Sequence, residues 1–233
     1  MLLIALSALL AAVLLAQGIY VRQVTPRLPE AEGPRAGLLG SGPPMRLLIV
    51  GDSAAAGVGA SIQDDALAGQ LSARLAEHHR LDWQLWAKNG RRARNILALL
   101  ARNAAEPFEI VLTSIGVNDV TGLTSKRKWL EQHRLIWQML QEKYSAKRII
   151  VTGLPPMHLF SALPQPLRWV LGQRAKQFNR ALALAAAQHP GCVFLDIDFP
   201  IQPEYLATDG FHPSRLAYMH WAEQATAVIR KAS

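Results

Sequence analysis

Two short stretches near opposite ends of the chain hold side chains suited to nucleophilic chemistry. Gly51-Asp52-Ser53 follows the apolar run Leu47 to Val50. Ser53 therefore falls between an expected strand and a helix start, where N–H groups and the helix dipole favour nearby negative charge. A serine hydroxyl needs a base to take its proton, and histidine ionises nearest neutrality. The stretch Asp209-Gly210-Phe211-His212-Pro213 offers His212 as that base. Asp209, three residues earlier in a turn, is spaced to accept from Nδ1–H of His212 and hold its tautomer. Two more turns lie between, Asn89-Gly90 and Gly116-Val117-Asn118-Asp119. The N–H groups of Ser53 and Gly90 and the side-chain amide of Asn118 are three donors able to hold an oxyanion, each typically worth about 3 to 4 kcal/mol. The chemistry implied is acyl transfer through a serine ester.

Each block also has a plainer reading. Ser53 can be an N-capping serine, and the Asn-Gly and Gly-Val-Asn-Asp stretches can be simple turns. A phosphate-cradling loop is excluded because no Gly-Lys-Ser/Thr follows the glycines. The other histidines, His78, His79, His133, His158, His189 and His220, fall in expected helices or loops with no acid at comparable turn spacing. They read as solvated or satisfied structural groups. The single cysteine, Cys192, removes a disulfide framework and a paired-cysteine zinc site, and His78 and His79 diverge around a helix, so no metal site is expected.

These residues need elements to position them. Half of the 233 residues are hydrophobic and 18% are charged, which excludes a disordered chain and fits one domain with a substantial core. Short apolar or β-branched runs at Leu47–Val50, Trp83–Ala87, Ile110–Ile115, Ile149–Gly153 and Val193–Ile197 alternate with segments of helical period. Those segments are Ala66–His79, Ala93–Asn103, Lys126–Tyr144, Leu167–Gln188 and Ser214–Lys231. The alternation predicts a doubly wound α/β domain with a five-stranded parallel sheet, in which ligands bind beyond the carboxyl ends of the strands. The Ser53, Gly90 and Asn118 blocks fall just after strands, and the Asp209–His212 block precedes the last helix.

The ends differ from this pattern. Residues 1–21 read as an N-terminal membrane anchor or signal segment, since Leu2 to Ile19 carries no charge over about the length that crosses a bilayer. Residues 22–45 are rich in proline and glycine, support neither helix nor strand, and read as a tether to a domain over 46–233. An uncleaved anchor is preferred, because the basic n-region of a secretory signal is missing. The chain is thus expected at a membrane through this single segment. Arg22 and Arg27 place the domain on the cytoplasmic face, and a cleaved signal would export it instead. The net charge of +8 arises from scattered residues such as Arg91, Arg92, Arg94, Lys126, Arg127 and Lys128. It carries no zinc-finger spacing, aromatic RNP signature or long basic run, so no nucleic-acid partner is expected.

Taken in order, Gly-Asp-Ser at Ser53, Gly90, Gly-Val-Asn-Asp at Asn118, and Asp-Gly-Phe-His at Asp209 and His212 resemble the four blocks of the SGNH, or GDSL, hydrolases. The resemblance spans nearly all of the chain from Leu47 to about Ser214. It implies a flavodoxin-like three-layer α/β/α sandwich, no cofactor, and hydrolysis of esters or thioesters. By that resemblance Ser53 is the nucleophile, His212 the base and Asp209 its orienting group, with Ser53, Gly90 and Asn118 forming the oxyanion hole. The chain departs from the family after Gly90, where Arg91, Arg92, Ala93, Arg94 and Asn95 replace the further glycine and threonine often found there. These arginines either face solvent or meet an anionic group of the substrate.

The stretch from Leu154 through Phe160 to Trp169 is apolar and proline-rich. It either lines an acyl pocket, lies on a membrane surface, or packs as a loop over the sheet end. Trp129 and Trp137, eight apart on one expected helix, read as core. The expected activity is serine-dependent hydrolysis of small-molecule or lipid-derived acyl esters. The alternative is a membrane-tethered non-hydrolytic binding domain, or an acyltransferase that uses an acceptor other than water.

Overall fold

The computed structural model describes residues 10–197, 200 and 202–231. Its sheet is built around β2 (Pro44–Gly51), β4 (Ile110–Ser114) and β5 (Arg148–Thr152), whose Val/Ile/Leu runs are buried on both faces. Strands of that composition belong in the middle of a parallel sheet covered on both sides. β3 (Arg80–Ala87) alternates instead: Leu81, Trp83, Leu85 and Ala87 are buried while the residues between them are partly exposed. β6 (Cys192–Leu195) closes the far side. The order of the five parallel strands, β3-β2-β4-β5-β6, reverses direction between β2 and β4. That switch point opens a crevice at the strand ends, and Ser53 and Asn118 lie on its two sides.

Helices cover both faces. α3 (Ala93–Arg102), α5 (Lys126–Glu142) and α6 (Leu167–Ala187) bury Ile96, Trp129, Trp137 and Phe178 against Leu48, Val50 and Val111. α2 (Leu67–Ala76) and α7 (Arg215–Arg230) bury Leu71, Leu75, Tyr218 and Trp221 against Leu47, Ile49 and Leu112. The two faces of β2 thus feed two cores, and each fully buried aliphatic side chain contributes about 1.5–3 kcal/mol. Ser125 and Ser214 start α5 and α7 by accepting the N–H groups of Lys128 and Ala217. A short helix, α4 (Val117–Thr121), follows β4.

Two expectations need correction. The sheet has six strands and is mixed, because β1 (Ala36–Leu39) adds to the outer edge of β3 in antiparallel register, Ala36 opposite Gln84 and Leu39 opposite Leu81. Proline and glycine content had pointed to no strand there; Ala36 to Leu39 is a short run free of proline, which an edge tolerates. The expected membrane-crossing helix is also overturned, and with it the localisation drawn from that helix. Among the described residues no helix is long and apolar enough to cross a membrane. α1 (Ala11–Val24) has 14 residues, about 21 Å at 1.5 Å per residue against a hydrocarbon core of about 30 Å. Its Leu14 and Val21 pack on the protein core. The Gln17 amide donates to the Gln165 carbonyl at 2.6 Å and accepts from the Leu167 N–H at 3.1 Å. The first nine residues of the expected segment lie outside the described residues.

Candidate active site

Ser53 sits directly after β2, and its hydroxyl is 3.0 Å from His212 Nε2. On the other side of the ring, His212 Nδ1 is 2.5 Å from Asp209 Oδ2. The carboxylate at Nδ1 keeps a proton there, so the Nε2 lone pair faces the serine. Asp209 is itself fixed: its second oxygen accepts the N–H groups of Phe211 and His212 at 3.0 and 2.9 Å. Burial alone would raise the Asp209 carboxyl. The hydrogen bonds from the His212 ring and backbone, the His212 charge and the Phe211 N–H outweigh burial and hold it below the usual carboxylate range.

The groups expected to act as oxyanion donors come from adjacent strand ends. Gly90 follows β3 and Asn118 follows β4, the two neighbours of β2. Gly90 adopts φ +80° with open space where a Cβ would point. Among the described residues, neither its N–H nor that of Ser53 has a hydrogen-bond partner. Asn118 Nδ2 donates to the Arg91 carbonyl at 3.1 Å, which ties the Asn118 block to the turn that carries Gly90 and leaves the amide's second hydrogen to face elsewhere.

A cavity of about 270 Å³ opens at Ser53 and His212. Its walls are largely apolar, with Ile115, Leu154, Leu159, Phe160, Leu206 and Phe211 prominent. This lies near the lower end of small-molecule sites, which span about 300–1,000 Å³. The proline-rich stretch after β5 therefore forms a wall of the cavity. It is latched to the His212 loop, since Ala162 N–H donates to the Gly210 carbonyl at 3.2 Å and the rings of Phe160 and Phe211 lie 4.7 Å apart. Neither Gly90 nor Asn118 is among the residues lining this cavity.

Residues 49–219 match the GDSL-like Lipase/Acylhydrolase family, nearly three quarters of the sequence. The chain belongs to this family. A GDSL-like esterase of Mycobacterium tuberculosis is 25% identical over 242 residues, covering 94% of this chain and 76% of that protein. Among solved structures, a lipase from a goat rumen metagenome superposes with a TM-score of 0.62 at 18% identity, over 78% of this chain and 96% of that one. The psychrotrophic esterase EstA from Pseudoalteromonas sp. gives 0.61 at 18% identity, over 80% and 97%. The protein is an ester-hydrolysing serine hydrolase.

Several residues that support the hydrolase's site carried no signal in the sequence. Asp52, next to the serine, is buried and accepts N–H groups from Ala54 and Gly116; burial pushes its carboxyl up to about 7 against the pull of those donors and of the His212 charge. Asp119 accepts the Ala93 N–H at 3.0 Å and the Thr124 hydroxyl at 3.1 Å, pinning the start of α3 to the Asn118 block. Glu30 accepts the Asn89 N–H at 2.6 Å and pairs with Arg35 at 3.0 Å, while Arg35 donates to the Ala87 carbonyl. The Gly90 turn is thus held from a segment that lies outside the family match. Arg91 turns inward to the Trp86 carbonyl at 2.9 Å rather than to solvent or substrate. Burial beside Arg102 and Arg35 lowers its pKa. His133, expected to be solvated or satisfied, is buried with both ring nitrogens unpartnered. Among the described residues no cluster of three or more His, Cys, Asp or Glu side chains could hold a metal ion.

Proposed function

We propose that Ser53 is the nucleophile of a carboxylic ester hydrolase whose acyl group is short to medium in length and apolar. The observation that carries the reading is the chain of contacts from Asp209 through His212 to the Ser53 hydroxyl, opening onto an apolar cavity. Ser53 Oγ attacks the ester carbonyl as its proton passes to His212 Nε2, and Asp209 stabilises the imidazolium. The N–H groups of Ser53 and Gly90 and the Asn118 amide receive the developing oxyanion. His212 then protonates the departing alcohol, leaving an acyl-Ser53 ester. Water attacks that ester with His212 again as base, which releases the acid and restores the serine. Lipid-derived esters of this size fit the same cavity, and thioesters would follow the same steps with a thiol leaving.

Phosphonate labelling is expected at the same hydroxyl; the Pseudoalteromonas neighbour was solved as a structure inhibited by monoethylphosphonate. The test is hydrolysis of p-nitrophenyl esters from acetate to palmitate by the full chain and by Ser53→Ala. A rate that peaks below the long chains and vanishes in Ser53→Ala supports the proposal. Turnover that survives in Ser53→Ala refutes it.

A further inference from the structure

Directly after β5, the Gly153 N–H still donates to the Leu195 carbonyl of β6 at 2.8 Å. Leu154, the next residue, lines the cavity at Ser53 and is buried. Among the described residues its backbone has no backbone partner. Asn179 on α6 takes that place: its amide accepts the Leu154 N–H at 2.7 Å and donates to the Leu154 carbonyl at 2.8 Å. A buried peptide group left unpaired is costly, and an asparagine amide carries an acceptor and a donor side by side. The clamp therefore decides the path by which the chain leaves the sheet to wall the cavity.

The Leu154 side chain reaches the turn that carries Asn118. A Cβ at Gly116 would lie 2.8 Å from Leu154 Cδ2 and 2.9 Å from the Trp129 ring, so these two side chains leave no room beside the Gly116 backbone. Gly116 in turn starts α4, since its carbonyl accepts the N–H groups of Asp119 and Val120, each at 2.9 Å. Trp129 also rests on α6: its ring lies 4.8 Å from that of Phe178, the neighbour of Asn179. One helix thus supports both side chains that flank Gly116, and Asn118 follows two residues later.

We propose that Asn179 is a positioning residue for the reaction at Ser53, acting through Leu154 to hold Gly116 and with it the Asn118 amide that receives the oxyanion. This rests on the hydrolase reading above and extends its machinery to a side chain that does not line the cavity. An oxyanion contact is made in the transition state and not in the bound ester, so its loss is read in kcat with KM little changed.

The test is hydrolysis of p-nitrophenyl acetate, whose short acyl group uses little of the wall, with rates counted per serine titrated by diethyl p-nitrophenyl phosphate. Asn179→Leu, similar in size and unable to form either hydrogen bond, is expected to lower kcat about tenfold while KM changes less than about twofold. Asn179→Asp keeps the acceptor but sets a carboxylate oxygen against the Leu154 carbonyl, and should lose as much. Leu154→Ala removes the side chain that transmits the effect, so adding Asn179→Leu to it should cost less than about twofold more. A full further tenfold loss in that background, or unchanged kcat in both Asn179 variants, overturns the proposal. Hydrogen exchange gives a second readout that needs no activity. Asn179→Leu should speed exchange at residues 153–156 and 116–121 and leave α2 and α7, on the other face of the sheet, as they are in the native chain. Exchange that rises equally on both faces, or that does not rise at 116–121, overturns the proposal. A native chain that neither hydrolyses the ester nor reacts with the phosphate triester refutes the hydrolase reading itself, a different failure.

Discussion

His133 makes folding depend on acidity in a way that can be worked out from its surroundings. It lies on α5 one turn from Trp129 and one turn from Trp137, with ring centroids 4.4 and 5.8 Å from theirs. It is 1% exposed and neither nitrogen has a partner, and burial lowers its pKa from 6.5 to about 3. A histidine depressed in the folded state contributes full stability above pH 6.5 and loses it progressively as pH falls from 6.5 toward 3, because the unfolded chain takes up a proton that the folded one refuses. At pH 5 the unfolded imidazole is almost wholly protonated and the folded one almost wholly neutral, so the loss relative to pH 7.5 is about 2 kcal/mol. Asp52 works the opposite way: raised to about 7, it favours the folded state as pH falls below 7. Comparison with His133→Leu removes this and every other shared contribution. Urea unfolding at pH 7.5 and 5.0 should show the native chain losing about 2 kcal/mol more than His133→Leu over that interval. Equal losses in the two proteins would show that the imidazole is not desolvated as described.

The remaining predictions concern the site. Asp209→Asn should lower kcat by about 10³- to 10⁴-fold with little change in KM, through loss of the acceptor that fixes the His212 tautomer; steady-state kinetics on a p-nitrophenyl ester checks this. Glu30→Ala frees the Asn89 N–H and should lower kcat about tenfold by loosening the Gly90 turn. Unchanged KM and rescue in Glu30→Gln, read in the same assay, separate positioning from general destabilisation. Phe160→Ala removes a cavity wall that also packs on Phe211. It should cost about 3–5 kcal/mol in unfolding free energy and move the chain-length optimum upward.

How much of this could be read in the sequence differs by residue. The five parallel strands were legible because their runs are short, apolar or β-branched, and bounded by turns. The Ser53 and His212 blocks were legible as candidates because a doubly wound sheet places ligand-binding groups at its strand ends, and the two side chains lie 3.0 Å apart there. β1 was hidden because a four-residue edge strand needs no apolar period of its own and is specified by the row of free groups on β3. Glu30 and Asp119 were hidden for another reason: each acts by accepting a backbone N–H from a turn remote in sequence, which leaves no spacing to detect. The apolar N-terminus misled because an uncharged run of bilayer length does not say what it packs against, and among the described residues α1 covers Ala11–Val24, stitched to the protein through Gln17.

The antiparallel pairing of Ala36–Leu39 with β3 bears on where this protein can be cut. A fragment begun at the family boundary near residue 49 would lose β2, and one begun at Arg46 would keep most of β2 and lose β1. In the second case the peptide groups from Leu81 to Gln84 would face water unpaired, on a strand whose Leu81, Trp83 and Leu85 are otherwise buried. A bare strand of that kind is a template for a second chain. Recombinant versions that retain residues 30–45 should therefore stay monodisperse at concentrations where the shorter ones self-associate. Those sixteen residues are a shield against unwanted assembly, built from a stretch that looks like packing material.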